Sequence, residues 1–407
     1  MSFKELWESI LKCSFEAQEV IKPYVHVTPV NLSATLSRIC GADVFLKYEN
    51  LQKTGSFKVR GALYKVSKLG RSVKGVVTAS AGNHAQGVAY AASSLGLPSV
   101  VVMPESASTP KVQATEGYGA EVILYGKVYD DAYQKALEIR EARGYEFIHA
   151  FNDVEVIGGQ GTIGLEIINQ ISDFDIVIVP VGGGGLISGI ASAIKAKKPQ
   201  VKVIGVEPEA APKMLLSLSS GKPISIEPKP TIADGLVAKT PGEITFEVVS
   251  NLVDEIVTVS EEEISEAIYI TLERQKTLVE GAGAVGVAAL ISGKANVKGK
   301  KVVAVLSGGN IDLTILNKVL IRGLVKVGRI VKISGYVPDA PGYMTRILQI
   351  IAHHRGNVLD IAHDRSDLKA PAWHAKITIL FETPGPSSTS EILRKLKDEG
   401  FNFINES

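Results

Sequence analysis

Cysteine is almost missing from this 407-residue chain, which has only Cys13 and Cys40. Two thiols exclude a disulfide framework and a cysteine-built zinc site, and they fit a reducing cytosol. Net charge is nearly missing too. Lys and Arg total 44 against 43 Asp and Glu, so no global field draws the chain to nucleic acid or to an anionic membrane. Met1–Glu8 is charged from Lys4 onward and contains no apolar signal core. Internal repeats and low-complexity tracts are absent. The longest apolar, uncharged run is Ile176–Ile194, nineteen residues, which approaches the length of a membrane span. It holds Pro180 and five glycines, four of them consecutive, and reads better as a buried strand, a glycine-rich loop and a buried helix. The expectation is a soluble, cytoplasmic protein with no nucleic-acid or membrane partner.

At 45% hydrophobic and 21% charged residues the chain is globular, and its length predicts two or three structural units. Short β-branched runs read as strands: Val76–Thr78, Ser99–Met103, Glu121–Leu124, Ile176–Val179, Lys202–Val206 and Lys301–Leu306. Helical stretches lie between them, such as Gln86–Leu95, Asp130–Arg143, Leu186–Lys197 and Ser260–Gln275. Fully apolar strands separated by helices predict an α/β fold of doubly wound parallel sheets, with ligands at the carboxyl ends of the strands.

The texture changes near residue 329. Strand Ile330–Val337, helix Tyr343–His354, strands Asn357–His363 and Trp373–Glu382, helix Thr389–Glu399 and strand Phe401–Ile404 follow one another, with Thr383–Ser388 as a loop. That βαββαβ order is ferredoxin-like. The expected domains are residues 1–328, with a smaller subdomain near 52–155 inserted in it, and residues 329–407. Four of the seven histidines (His353, His354, His363, His374) fall in the second domain. They show no metal-ligand spacing and read as solvent-facing side chains.

Four segments carry candidate chemistry. Gly182–Gly185 and Leu186 lie between an apolar strand and an apolar helix, where bare amides and a helix N-terminus suit a phosphate. No Gly-Lys-Ser/Thr ending follows, so a nucleotide P-loop is excluded. A nicotinamide dinucleotide site is the rival, with Gly183, Gly185 and Gly189 and then Glu207 as the ribose acid, although the glycine spacing is one residue too long. A tight strand-to-helix turn is the plainer reading. In Gly55-Ser-Phe-Lys-Val-Arg-Gly-Ala62, Lys58 stands near Arg60 in a stretch of small residues. A second cation and partial desolvation would depress its pKa and make it a nucleophile, whereas a lone lysine is more often a surface group. Ser80-Ala81-Gly82-Asn83-His84 follows a strand and opens a helix, so its amides can hold a carboxylate, or Ser80 or Asn83 can simply cap that helix. Ser307 ends another strand in Leu306-Ser-Gly-Gly-Asn310. Its hydroxyl can face a ring nitrogen, or the segment is only a strand-ending turn.

Together and in this order, these segments resemble the fold-type II pyridoxal-phosphate enzymes, and within them most closely the threonine dehydratases, also called threonine ammonia-lyases. Asn152-Asp153, Ile157, Gly159–Glu166 and Ile232–Gly235 are also similar to that family. The resemblance spans residues 15 to 325. The tail from about 330 resembles an ACT regulatory domain, chiefly through Pro338-Asp-Ala-Pro-Gly342 and its element order.

The resemblance implies that Lys58 carries pyridoxal phosphate covalently and removes the substrate α-proton. It places Phe57 beside the ring, Asn83 on the ring 3-oxygen, Gly182, Gly183, Gly184, Gly185 and Leu186 on the phosphate, and Ser307 at the pyridine nitrogen. Ser80, Ala81, Gly82, Asn83 and His84 would hold the substrate carboxylate. The implied reaction takes L-threonine to 2-oxobutanoate and ammonia, with L-serine giving pyruvate. A serine-racemase-like enzyme is the alternative, but Ala81 stands where that branch has a serine and offers no proton. Cysteine synthases have a Thr-Ser-Gly-Asn-Thr loop in place of Ser80–His84. Metal-dependent relatives hold a divalent cation beyond Val206-Glu207-Pro208. Here Lys213 stands at the last ligand position, where an ammonium cannot ligate a metal but can take its place beside Glu207, so no metal is expected. The ACT-like tail implies an amino-acid or nucleotide effector and a homodimer or homotetramer, unless it serves as a dimerisation module alone.

Overall fold

The computed structural model describes residues 1–70 and 73–406, in two compact units, Met1–Asp312 and Leu313–Ser407. In the first unit, α1 (Phe3–Ile21) opens on a capping box between Ser2 and Glu5. It is followed by β1 (Val30–Leu32), α2 (Ala34–Cys40) and β2 (Asp43–Tyr48). Four strand–helix alternations come next: α3 (Lys58–Lys68), β3 (Val76–Ala79), α4 (Asn83–Ser94), β4 (Ser99–Met103), α5 (Thr109–Gly117), β5 (Glu121–Leu124), α6 (Tyr129–Arg143) and β6 (Glu146–Phe147). The chain then returns through α7 (Val154–Gln170), β7 (Ile176–Pro180), α8 (Gly185–Lys197), β8 (Lys202–Pro208), α9 (Lys213–Ser220), α10 (Glu243–Leu252), β9 (Glu255–Val259), α11 (Glu261–Gln275), α12 (Gly281–Ile291) and β10 (Lys301–Leu306).

Two sheets result. One is four-stranded and all parallel, in the order β5-β4-β3-β6. The other is six-stranded, β1-β2-β10-β7-β8-β9, and parallel except for β1. Every residue of β3, β4 and β7 is buried, as strands covered by helices on both faces require. The apolar run Ile176–Ile194 therefore divides into β7, the tetraglycine loop and most of α8. Among the described residues no helix is long and apolar enough to cross a membrane.

The second unit contains α13 (Leu313–Lys326), β11 (Ile330–Pro338), α14 (Tyr343–His353), β12 (Asn357–Asp364), β13 (His374–Glu382), α15 (Pro386–Asp398) and β14 (Phe403–Asn405). Its antiparallel sheet runs β12-β13-β11-β14 over a core that includes Ile333, Ile347, Ile379, Phe381 and Leu396. The βαββαβ order is the expected one, with two local differences. Helix α15 begins at Pro386, which shortens the expected loop, because proline suits the first turn of a helix, where its missing N–H costs nothing. The last strand starts at Phe403. Phe401 is instead buried in the core, and its amide donates to Leu396 O at 2.8 Å to close the helix end. His353 and His363 are exposed, while His354 and His374 are half-buried.

Helix α7 contains four glycines that no propensity argument would place in a helix interior. They are contact points. A Cβ on Gly159 would stand 2.5 Å from Gly61 Cα and 2.8 Å from Arg60 O on α3. One on Gly164 would meet the Ala193 Cβ at 2.9 Å and Ile190 O at 3.0 Å on α8. The missing side chains let α3 and α8 approach α7 backbone to backbone, which seats Lys58 and the tetraglycine loop on one rigid frame. Gly159→Ala is expected to lower the unfolding free energy by about 1–3 kcal/mol through overpacking. The exposed Gly117, whose Cβ would meet nothing within 4 Å, serves as the control, since its change to Ala in urea titration should be neutral or slightly stabilising.

Candidate active site

The candidate residues converge at the carboxyl ends of the parallel strands, where such folds place ligands. The β10 end meets the segment preceding α3, with Phe57 N donating to Ser307 O at 3.1 Å and Ser56 bridging Gly308. The Asn310 amide donates to Thr54 O at 2.9 Å and to Asn83 Oδ1 at 2.8 Å, which adds the loop between β3 and α4. Asn83 Nδ2 donates to Glu280 Oε1 at 2.6 Å at the start of α12. Gly87 on α4 abuts the backbone of Lys58 and Val59, so α4 and α3 begin side by side. Lys58 Nζ donates to Ala150 O at 3.0 Å in the loop between β6 and α7. The next residue, Phe151, fills the space that a Cβ on Gly183 or Gly185 would need.

Lys58 is the first residue of α3, half-buried, with its amine 5.2 Å from the Phe57 ring centroid. Burial lowers its pKa to about 8, against an opposing pull from Glu280. The expected contribution from Arg60 is not the cause. The Arg60 guanidinium is turned away and neutralised by Glu49 at 2.8 Å and Glu166 at 2.6 Å. Nearness of the two cations in sequence does not bring them together, because helical positions two residues apart face different directions.

Glu280 is buried, and burial followed by the Asp234 carboxylate raises its pKa to about 7. His84 is also buried. Its Nε2 lies 3.0 Å from Ile148 O, so Nε2 carries the proton, and burial followed by the Lys58 charge lowers its pKa to about 3. The imidazole is thus turned inward, so only the main-chain amide of His84 could serve the carboxylate role that the resemblance implies. Ser80 Oγ accepts from Gly82 N at 3.2 Å, and Gly82 caps α4 without a side-chain hydrogen bond. Glu280, Ala150, Phe151 and His149 are absent from the sequence-based set. They carry no local signal beyond lying at strand or helix ends.

The loop residues fit the group the sequence calls for. Gly184 caps α8 in the left-handed region at φ +96°, with no side-chain cap, so the first-turn amides of α8 are uncapped. Added Cβ atoms at Gly183, Gly184 and Gly185 would collide with Phe151, Thr245 or Met214, so the cradle depends on bare backbone. Ser307 Oγ is buried and donates only at 3.4 Å, to Ala282 O, a contact long enough to leave the hydroxyl available to a ring nitrogen. Asn83 uses one of its two N–H groups on Glu280 and keeps one for a ring oxygen.

Beneath this cradle, Lys213 is fully buried. Its Nζ donates to Glu207 Oε1 at 2.9 Å and to the carbonyls of Leu236 at 3.0 Å, Ala211 at 3.2 Å and Val181 at 3.4 Å. Glu207 also accepts from the amides of Met214 and Leu215. Its carboxylate is therefore committed to the protein, and no ribose can use it, which removes the main support for a nicotinamide site. The ammonium is held as a cation would be, between the strand end that opens the tetraglycine loop and the turn after Ala233.

Only the free amine reacts with an aldehyde, so uptake of pyridoxal phosphate by the stripped protein should rise with pH to a plateau. The midpoint should lie near 8, not at the ordinary lysine value, because the protonated form dominates below the depressed pKa. Stopped-flow absorbance measures this, and Glu280→Gln should move the midpoint lower. Lys213→Met leaves Glu207 buried without a counter-charge and should cost about 3–5 kcal/mol in urea unfolding, while strong chelator should leave wild-type turnover unchanged.

A family model described as "Pyridoxal-phosphate dependent enzyme" matches residues 21–308, and an ACT domain model matches residues 334–401. The chain is 50% identical over 388 residues to an L-threonine ammonia-lyase of Thermotoga maritima, covering 95% of this chain and 96% of that protein. An L-threonine ammonia-lyase of Geobacter sulfurreducens is 46% identical over the same shares. Among solved structures, the processed threonine deaminase isoform 2 of Solanum lycopersicum superposes with a TM-score of 0.74 at 39% identity, covering 78% of this chain and 88% of that one. Maize serine racemase gives 0.73 at 38%, covering 78% and 98%. Sequence, fold and the chemistry at Lys58 thus agree that the chain belongs to the pyridoxal-phosphate dependent enzyme family and carries a C-terminal ACT domain.

Proposed function

We propose that this chain is a threonine ammonia-lyase, which eliminates water from L-threonine to leave an enamine whose hydrolysis takes the water back and gives 2-oxobutanoate and ammonia, and which treats L-serine in the same way to give pyruvate. The observation that carries this reading is the Lys58 amine, its pKa lowered to about 8 by burial, at the meeting point of three loops rich in backbone amides. Full-length similarity to two L-threonine ammonia-lyases supports the substrate.

Bound pyridoxal phosphate supplies an electron sink for the charge that develops at the substrate α-carbon. The protein does the rest. Lys58 anchors the cofactor through Nζ and, once substrate has displaced it, takes the α-proton on that nitrogen as general base. Ala150 O holds Nζ in place through the 3.0 Å hydrogen bond. Gly182–Gly185 and Leu186 grip the phosphate with amides and the positive end of α8. Phe57 packs beside the ring, Asn83 donates to its 3-oxygen, and Ser307 meets its nitrogen. A hydroxyl, unlike a carboxylate, does not keep that nitrogen protonated, so a long-lived carbanion is disfavoured and loss of the β-hydroxyl is favoured. Ser80–His84 receive the substrate carboxylate at the start of α4. Ala81 has no proton to offer the opposite face, which argues against racemisation.

The ACT domain binds an amino-acid or nucleotide effector in this reading, and the chain assembles as a homodimer or homotetramer in the cytoplasm. The uncovered edge strand β12, with Leu359 and Ile361 exposed, supports assembly.

The test is a 2-oxoacid assay on L-threonine and L-serine, run alone and with isoleucine, valine, threonine or AMP. The purified protein should absorb near ~410–420 nm, and Lys58→Ala should lose both colour and turnover. Racemised amino acid in place of 2-oxoacid would refute the lyase reading.

A further inference from the structure

We propose that His149 is a positioning residue, whose imidazole folds the β6–α7 loop into the shape that presents the Ala150 carbonyl to Lys58 and the Phe151 ring to the tetraglycine loop. The proposal rests on the reading of Lys58 as the cofactor lysine.

His149 Nδ1 accepts from two consecutive loop amides, Asn152 N at 2.8 Å and Phe151 N at 3.1 Å. A ring nitrogen that accepts carries no proton, so the hydrogen of the neutral ring is on Nε2. The pattern, a side chain accepting from the backbone two residues on, is that of an Asx-turn, with imidazole replacing the amide or carboxylate. The ring is wedged in place, 4.8 Å from the Phe151 centroid at 87° and 6.4 Å from that of Phe147 at 69°.

Each residue of the turn then makes a contact the site depends on. Ala150 O accepts from Lys58 Nζ at 3.0 Å. Phe151 lies against Gly183 and Gly185. Asn152 Oδ1 accepts from Ile244 N at 3.0 Å and so ties the loop to α10. Protonation of Nδ1 would set a donor against two donors and open the turn. Burial first, and then the nearby Lys58 charge, keep the ring neutral, with a pKa near 4. His149 also lines a cleft with Phe151, Asn152, Thr240, Gly242 and Phe246, so an acid–base role for the imidazole is the competing explanation.

Asparagine separates the two, because its Oδ1 occupies about the place of the histidine Nδ1 and accepts the same amides, yet it cannot titrate. His149→Leu and His149→Asn are compared with wild type as full-length holoenzymes. The readouts are the bound-cofactor spectrum, the rate of cofactor loss on dilution, kcat and KM for L-threonine, and thermal unfolding of the stripped protein. His149→Leu should lower kcat on the order of tenfold to a hundredfold with KM changed less than about twofold. It should also release cofactor about tenfold faster and alter its absorption band. His149→Asn should recover most of each loss, to within about threefold of wild type. An asparagine variant as impaired as the leucine variant, or a leucine variant indistinguishable from wild type, overturns the proposal. If His149→Leu cannot be recovered folded, His149→Asn decides alone, near-wild-type values supporting the proposal and a loss refuting it. Failure of the underlying reading shows separately, as borohydride-reduced wild type without a pyridoxyl tag on Lys58.

Discussion

Two cations and two anions lie buried together beneath the first turn of α3. Arg60 reaches Glu49 and Glu166, and Lys47 pairs with Glu166 while donating to Thr28 O at 2.7 Å and Gln170 Oε1 at 3.0 Å. Charges this deep cost several kcal/mol each unless every one has a partner, and here every one does. Burial pulls the Lys47 ammonium below its ordinary pKa. Burial also pushes Glu49 upward, but the Arg60 charge and hydrogen bonds outweigh it and hold the carboxyl below its ordinary range. The cluster ties β2 and the turn after it to α3 and α7. Lys58 lies two residues before Arg60 on the same helical turn, so the reactive amine inherits its place from this lock.

The site itself is built largely from side chains that are not there. Glycines at 159 and 164 let helices touch, Gly87 lets α4 lie against the start of α3, and Gly183 to Gly185 leave amides bare beneath Phe151. Such a cradle has little rigidity of its own, and rigidity comes from its surroundings. Lys213 clamps the strand end at Val181 to the turn at Leu236, and the Phe151 ring closes the other side. A tethered ammonium cannot dissociate as a bound cation would.

Burial is the common cause of the unusual acidities around Lys58. It lowers the lysine to about 8 and His149 to about 4, and it raises Glu280 to about 7. A desolvated pocket favours whichever form is neutral. It therefore yields a usable amine without a neighbouring cation and keeps both histidines as fixed hydrogen-bonding groups. The carboxyl Glu280 meets Asn83, the residue proposed to face the cofactor ring oxygen, so its protonation state bears directly on that contact.

The alternation of apolar strands and helices and the phosphate-type glycine loop were legible in residue type and local spacing, whereas Lys58, Asn83 and Ser307 took their specific roles, and Lys213 its place beside Glu207, from the resemblance of their segments to a known family. The pattern also revealed the βαββαβ tail, with errors only where proline could enter a first helical turn and where Phe401 left the strand for the core. What no local pattern contains is which distant groups meet. Arg60 stands near Lys58 in sequence but faces Glu49 and Glu166. His149, Phe151 and Glu280 are ordinary residues until folding brings them to the lysine. Sequence by itself determined the sheet type, through periodicity, and singled out the candidate reactive groups, through side-chain chemistry and family resemblance. Only tertiary structure decided the acidity of the amine and the shape of its cradle, because both depend on how much water and which backbone atoms remain nearby once distant segments have packed.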